Sequence, residues 1–149
     1  MKVMTITLNG VTITLRLTAA KLAEYAASIG SGGNTLFAVM DALDDLEKQI
    51  KLFTAALNYK GNGNTILDGS DLIDMLNDAE YDPIAKKQLI VDLAEKGGVI
   101  GAVEAAKIMA AIKTGSDKLY EAAVAVLSGD MSNLPTTPTQ DAEPQENPT

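Results

Sequence analysis

Neither cysteine nor histidine occurs anywhere in the 149 residues. Without cysteine there is no disulfide and no thiolate metal site. Without histidine the chain lacks the side chain most used as a general base near neutral pH, which is also the commonest metal ligand. Tryptophan is missing too, aromatic residues make up 4%, and Arg16 is the sole arginine. Phosphoryl-transfer sites and nucleic-acid surfaces gather several Arg or Lys on one face. Here 12 basic residues are scattered among 20 acidic ones, and the net charge of −8 repels nucleic acid and anionic membrane alike. No run approaches the ~20 apolar residues of a membrane-spanning helix. The N-terminus enters an alternating strand pattern at once, so no signal peptide is expected. No catalytic, cofactor-binding or metal-ligating residue can be nominated, because a nucleophile–base pair would have to come from lysines and carboxylates alone. The chain reads as a non-enzymatic, cytosolic protein that works by binding another protein.

What is present is apolar: 46% of the residues are hydrophobic, enough to fold. A core of Leu, Ile, Val and Ala with few rings suits closely packed helices. The expected architecture is mainly α, an N-terminal β-hairpin packed on a bundle of about five or six helices. Residues 1–129 form that domain and residues 130–149 a tail.

The hairpin, over residues 2–17, is the clearest local signal. Met4, Ile6 and Leu8 alternate with threonines, as do Val11, Ile13 and Leu15 after Asn9-Gly10. An Asn-Gly pair accepts positive φ at both central positions, as a two-residue type I′ turn requires. That turn sets Leu8 opposite Val11, Ile6 opposite Ile13 and Met4 opposite Leu15, with all six on one face.

Helices follow. Thr18 caps a helix over 19–29, with Leu22, Tyr25, Ala26 and Ile29 as its stripe. A long helix is expected from Thr35 to Tyr59, because Leu36, Val39, Leu43, Leu46, Ile50, Phe53 and Leu57 repeat at 3-4-3-4-3-4 spacing. Such a seam is either buried in the protein's own core or shared with another chain, which leaves room for self-association. Leu46 lies at its centre, so Leu46→Asp is expected to destabilise severely, and Asp45→Ala on the polar side by less than ~0.5 kcal/mol. Ser70 is expected to cap a helix over 71–79, and Asp82-Pro83 to open one that ends at Gly97-Gly98. Residues 99–113 follow with Val99, Ala102, Val103, Ala106, Met109 and Ala110 on one face. Ser116 then caps a helix over 117–127, packed through Leu119, Ala123, Val126 and Leu127.

Three stretches invite a sharper chemistry and do not sustain it. Gly61-Asn62-Gly63-Asn64 with Asp68-Gly69 lacks the lysine and hydroxyl of a phosphate loop and the alternating acids of a calcium loop. It reads as a helix connection. Asp41, Asp44, Asp45 and Glu47 have no histidine to complete a di-metal site and read as a solvated face. Lys86-Lys87 reads as an exposed helix edge.

The order of parts, and the segment Ser70-Asp71-Leu72-Ile73-Asp74-Met75-Leu76-Asn77-Asp78-Ala79-Glu80-Tyr81-Asp82-Pro83 followed by Ile90-Val91-Asp92-Leu93-Ala94-Glu95-Lys96-Gly97, resemble the tail assembly chaperones of bacteriophages that infect Gram-positive bacteria. The similarity covers about residues 1–127. It implies a helper in the cytoplasm of the infected bacterial host that binds the tape measure protein. Such a helper keeps its client soluble while the tail tube assembles, with the tail tube protein a further candidate partner, and is absent from the mature virion. No cofactor, nucleic-acid or membrane partner is expected, given the residue content and the net charge of −8. Met40, Met75 and Met109 offer adaptable client contacts, although burial in the core is the ordinary role of each. Two other readings stay open: a structural or connector component of the phage particle, and a small acidic inhibitor of a host protein.

Beyond Gly129 the composition changes. Every proline except Pro83 lies there, with Asp130, Asp141, Glu143 and Glu146 and no basic residue. Such a segment cannot bury enough surface to offset its ordering entropy, so a disordered tail is expected. Deleting residues 130–149 should leave the thermal unfolding midpoint nearly unchanged by circular dichroism; a large fall would show that the tail is packed.

Overall fold

The structure, a computed structural model, describes residues 3–31 and 34–114. Among these residues it is mainly helical, with six helices and one two-stranded antiparallel sheet. The chain forms two compact units, residues 1–100 and a second beginning at Gly101. The expected helix over 117–127 and the tail lie outside the described residues.

Strands β1 (Met4–Leu8) and β2 (Val11–Leu15) pair in the expected register, with Met4 opposite Leu15, Ile6 opposite Ile13 and Leu8 opposite Val11. Asn9 and Gly10 take φ of 50° and 84°, the positive values a type I′ turn demands. Met4, Leu8, Ile13 and Leu15 are buried, while Ile6 and Val11 are half-buried towards the turn. The opposite face is exposed at Thr5, Thr7 and Thr12 but covered at Thr14. There the Thr14 hydroxyl meets the Tyr59 hydroxyl at 2.7 Å, and Asn64 accepts from the Thr14 amide at 2.8 Å while donating to its carbonyl at 2.8 Å. Asn64 also donates to Leu57 O at 3.0 Å. The Gly/Asn connection is therefore a clasp, its amide side chain satisfying backbone groups of β2 and of a helix end that would otherwise be orphaned.

Helix α1 (Ala19–Ser28) starts on Thr18, whose hydroxyl accepts from Lys21 N at 3.1 Å. The long helix expected over 35–59 is two helices, α2 (Thr35–Asp41) and α3 (Leu46–Leu57). Asp45 is extended, with φ −132° and ψ 112°, and its carboxylate accepts from Lys48 N at 3.2 Å. A carboxylate one residue ahead of a helix satisfies an orphan amide and meets the positive end of the dipole, and here that preference overrides the uninterrupted apolar spacing. The break corrects both substitution expectations. Leu46 is 60% exposed at the first turn of α3, whereas Asp45 is its cap.

Helix α3 is the centre of residues 1–100. Its Leu52, Phe53, Ala56 and Leu57 are fully buried, and it packs on β2, on α1 and on α4 (Gly69–Asp78). The N-cap of α4 is Asp68 rather than Ser70, its carboxylate accepting from the Ser70 amide and hydroxyl, both at 2.8 Å. Gly69 is required by close approach: a Cβ there would lie 2.9 Å from Thr54 N and closer still to the Ile50 carbonyl. Helix α5 (Pro83–Lys96) begins as expected, with Asp82 accepting from Ala85 N at 2.7 Å and proline in the first turn, and closes at Gly97.

In the second unit α6 (Ala102–Lys113), with Gly101 as its N-cap, begins three residues later than expected and buries a different face. Ala105, Ile108, Met109, Ala111 and Ile112 are buried, while Ala102 and Ala106 are exposed and Val103 is 62% exposed. The largest apolar residues, Ile108 and Ile112, set the buried face, since more apolar area leaves water when they are inside.

The break in the seam predicts an inversion of the usual ranking of core and surface. Leu46→Asp should change unfolding free energy by no more than about 0.5 kcal/mol, because the side chain is exposed and a carboxylate suits a first turn. Asp45→Ala should cost about 1 kcal/mol by removing the cap. Urea unfolding of the two variants decides it.

Candidate functional site

The residues that the sequence singles out are placed mostly in structural roles. Met40 and Met109 are buried at 5% exposure each, and Met75 is half-buried. The carboxylates of the α2–α3 corner meet lysines: Lys48 lies 3.7 Å from Asp41 and 3.9 Å from Asp45, Lys51 3.8 Å from Glu47, and Lys87 of α5 3.0 Å from Asp44. Lys87 is thus a strut from α5 to the corner rather than a bare helix edge. Among the described residues no group of three or more acidic side chains could hold a metal ion, and no helix is long and apolar enough to cross a membrane.

The feature most suited to recognition is a groove of about 550 Å³ between α1 and α3. Lys21, Glu24, Tyr25 and Ser28 line it from α1, and Ile50, Lys51, Thr54, Ala55 and Asn58 from α3, with Leu67 of the α3–α4 connection. Ile50 of its floor is half-exposed. Leu67 is 49% exposed, its position held by Asn58, which donates to Leu67 O at 2.7 Å. The rim is polar. Lys21 pairs with Glu24 at 3.3 Å, and Lys51 reaches across to Ser28 O at 3.4 Å. An open apolar floor with a charged rim is the form that accepts an amphipathic helix. Of its lining, only Tyr25 in the α1 stripe and Ile50 in the seam carried a sequence signal. The one cue to Leu67 is an apolar pair, Ile66-Leu67, within an otherwise Gly/Asn-rich connection.

Tyr25 ties α1 to α2 beside the groove. It is buried, and its hydroxyl donates to Ala38 O of α2. Burial first, then the nearby Asp41 and Asp45, push its hydroxyl pKa well above the ordinary 10.0, since each disfavours a phenolate. Asp68 moves the other way, its carboxyl held below the usual range by the Ser70 amide and hydroxyl. For Tyr25 the stabilising contribution is whole below pH 10.0 and is lost as the pH rises above it towards the folded-state value. The Tyr25→Phe variant should lose about 1 kcal/mol at neutral pH through the missing hydrogen bond. Its thermal midpoint should then decline less steeply than that of the parent above pH 10, as scanning calorimetry across that range would reveal.

No family model, no curated protein and no solved structure matches this chain.

Proposed function

We propose that this chain is a helper of bacteriophage tail assembly that binds the tape measure protein and keeps it soluble in the host cytoplasm until the tail tube has formed around it. The observation that carries the reading is the open apolar groove between α1 and α3, with the exposed Leu67 at its edge and no histidine or cysteine in the chain to supply chemistry. A long helix-rich client presents apolar stripes, and a stripe laid on Ile50, Ala55 and Leu67 removes it from water. The net charge of −8 keeps such a complex soluble by self-repulsion. The resemblance in element order and in the segment 70–83 supports the same reading. The protein acts before the particle is complete and does not remain in it.

Co-expression with the tape measure protein of the same phage should hold that client in the soluble fraction, and the two should co-purify. Binding should survive moderate salt, because the groove is apolar and its rim carries both signs of charge. Leu67→Asp should abolish co-purification while leaving the thermal midpoint close to that of the parent, since the side chain is half out of the fold. An insoluble client, or this protein at structural copy number in purified particles by mass spectrometry, would refute the proposal.

A further inference from the structure

The apolar spacing of residues 36–57 runs through the α2–α3 corner without losing phase. Leu36, Val39 and Leu43 precede the bend, and Leu46, Ile50, Phe53 and Leu57 continue the same 3-4 alternation after it. The corner itself, Ala42-Leu43-Asp44-Asp45, contains no glycine or proline, and Ala and Leu are among the strongest helix formers. Ala42 is still in the right-handed helical region, and the amides of Ala42 and Leu43 bond three residues back, to Val39 O and Met40 O at 3.1 and 3.0 Å. Asp45 is the residue in extended conformation. Returning the backbone around Asp45 to helical angles would join α2 and α3 into one continuous helix.

The bent form is held at the corner by the buried Ala42 and Leu43 and by Gln49 donating to Leu43 O at 3.2 Å, and outside by the Asp45 cap and the pairs of Lys48 with Asp41 and Asp45 and of Lys87 with Asp44. Straightening within a single chain would strip α1 and β2 from α3, including the bond from Arg16 N to Ala56 O at 3.0 Å. A second copy offers the same surfaces and restores every one of those contacts between chains. It also covers what the bent form leaves bare, the 60% exposed Leu46 at the centre of the seam.

We propose that the α2–α3 corner is an exchange hinge through which two copies of this chain swap the segment from the hairpin to α2. Each copy then carries one straight helix from Thr35 to Leu57. The new junction is isologous, with Leu46 and Ile50 of one straight helix packed on the same residues of the other. The inference does not depend on a client, and it is tested on the purified full-length chain alone.

The chain is unfolded in denaturant, refolded at high and at low protein concentration, and sized by chromatography with light scattering. Wild type should yield a dimer on concentrated refolding that persists on dilution, because releasing it requires unfolding. Asp45→Ala, which removes the cap holding the bend, should raise the dimer share severalfold. Leu46→Pro fits the first position of α3, where no intrahelical amide bond is needed and the preceding residue is extended, but cannot lie inside a continuous helix. It should refold only to monomer. Leu46→Asp sets like charges together at the junction and should also suppress the dimer, which covers the case in which the proline variant does not fold. Wild type that refolds to monomer at every concentration would overturn the proposal, and so would a Leu46→Asp or folded Leu46→Pro protein that dimerises as readily as wild type.

Discussion

Burial of one face of α3 is the interaction on which residues 1–100 depend. Leu52, Phe53, Ala56 and Leu57 have no exposed surface, and the elements around them take their places from that face. The hairpin lies on it through β2, α1 packs along it, and α4 approaches so closely that only glycine fits at position 69. A large-to-small change at Phe53 would remove about 3–5 kcal/mol, a sizeable part of the stability of any small domain. Polar contacts then fix the geometry that burial alone would leave loose. Asn64 clasps β2 to the end of α3, and Thr54 accepts from Gly69 N at 2.8 Å where α4 begins.

The same helix also creates the surface with functional potential. The first turns of α3, after the Asp45 cap, are not fully covered. Ile50 opens into the groove beside α1, and Leu46 stands in solvent. A client stripe and a second copy of the chain would both use this under-covered end. The ion pairs there are solvent-exposed and each contributes little, so apolar contact would dominate the recognition proposed for this surface.

Much of the local structure is legible without coordinates, and the reason is the same in each instance. The hairpin register follows from mirrored alternation about Asn9-Gly10, where the turn chemistry admits one solution. Thr18, Asp82-Pro83 and Gly98 punctuate helices because a side-chain acceptor, a fixed φ and a left-handed φ of 80° act over three or four residues. Where two local signals compete, the sequence is ambiguous. Asp45 is both a polar position on an amphipathic helix and an N-cap, and the apolar spacing around it favours the first role while the fold adopts the second. Asp68 and Ser70 compete in the same way, and the carboxylate wins by accepting from both the amide and the hydroxyl of Ser70.

The amino-acid sequence by itself determined the mainly helical class, the hairpin and its pairing, the starts of α1, α2 and α5, and the lack of histidine and cysteine chemistry, because each rests on residue type or on spacing within a few positions. The tertiary structure decided that the seam is broken, that Leu46 is outside and Ile108 and Ile112 inside, that Asn64 is a clasp, and that residues from α1, α3 and the Leu67 connection share one groove. Those outcomes depend on how surfaces distant in sequence compete for burial, and the periodicity of one segment carries no record of its neighbours in space.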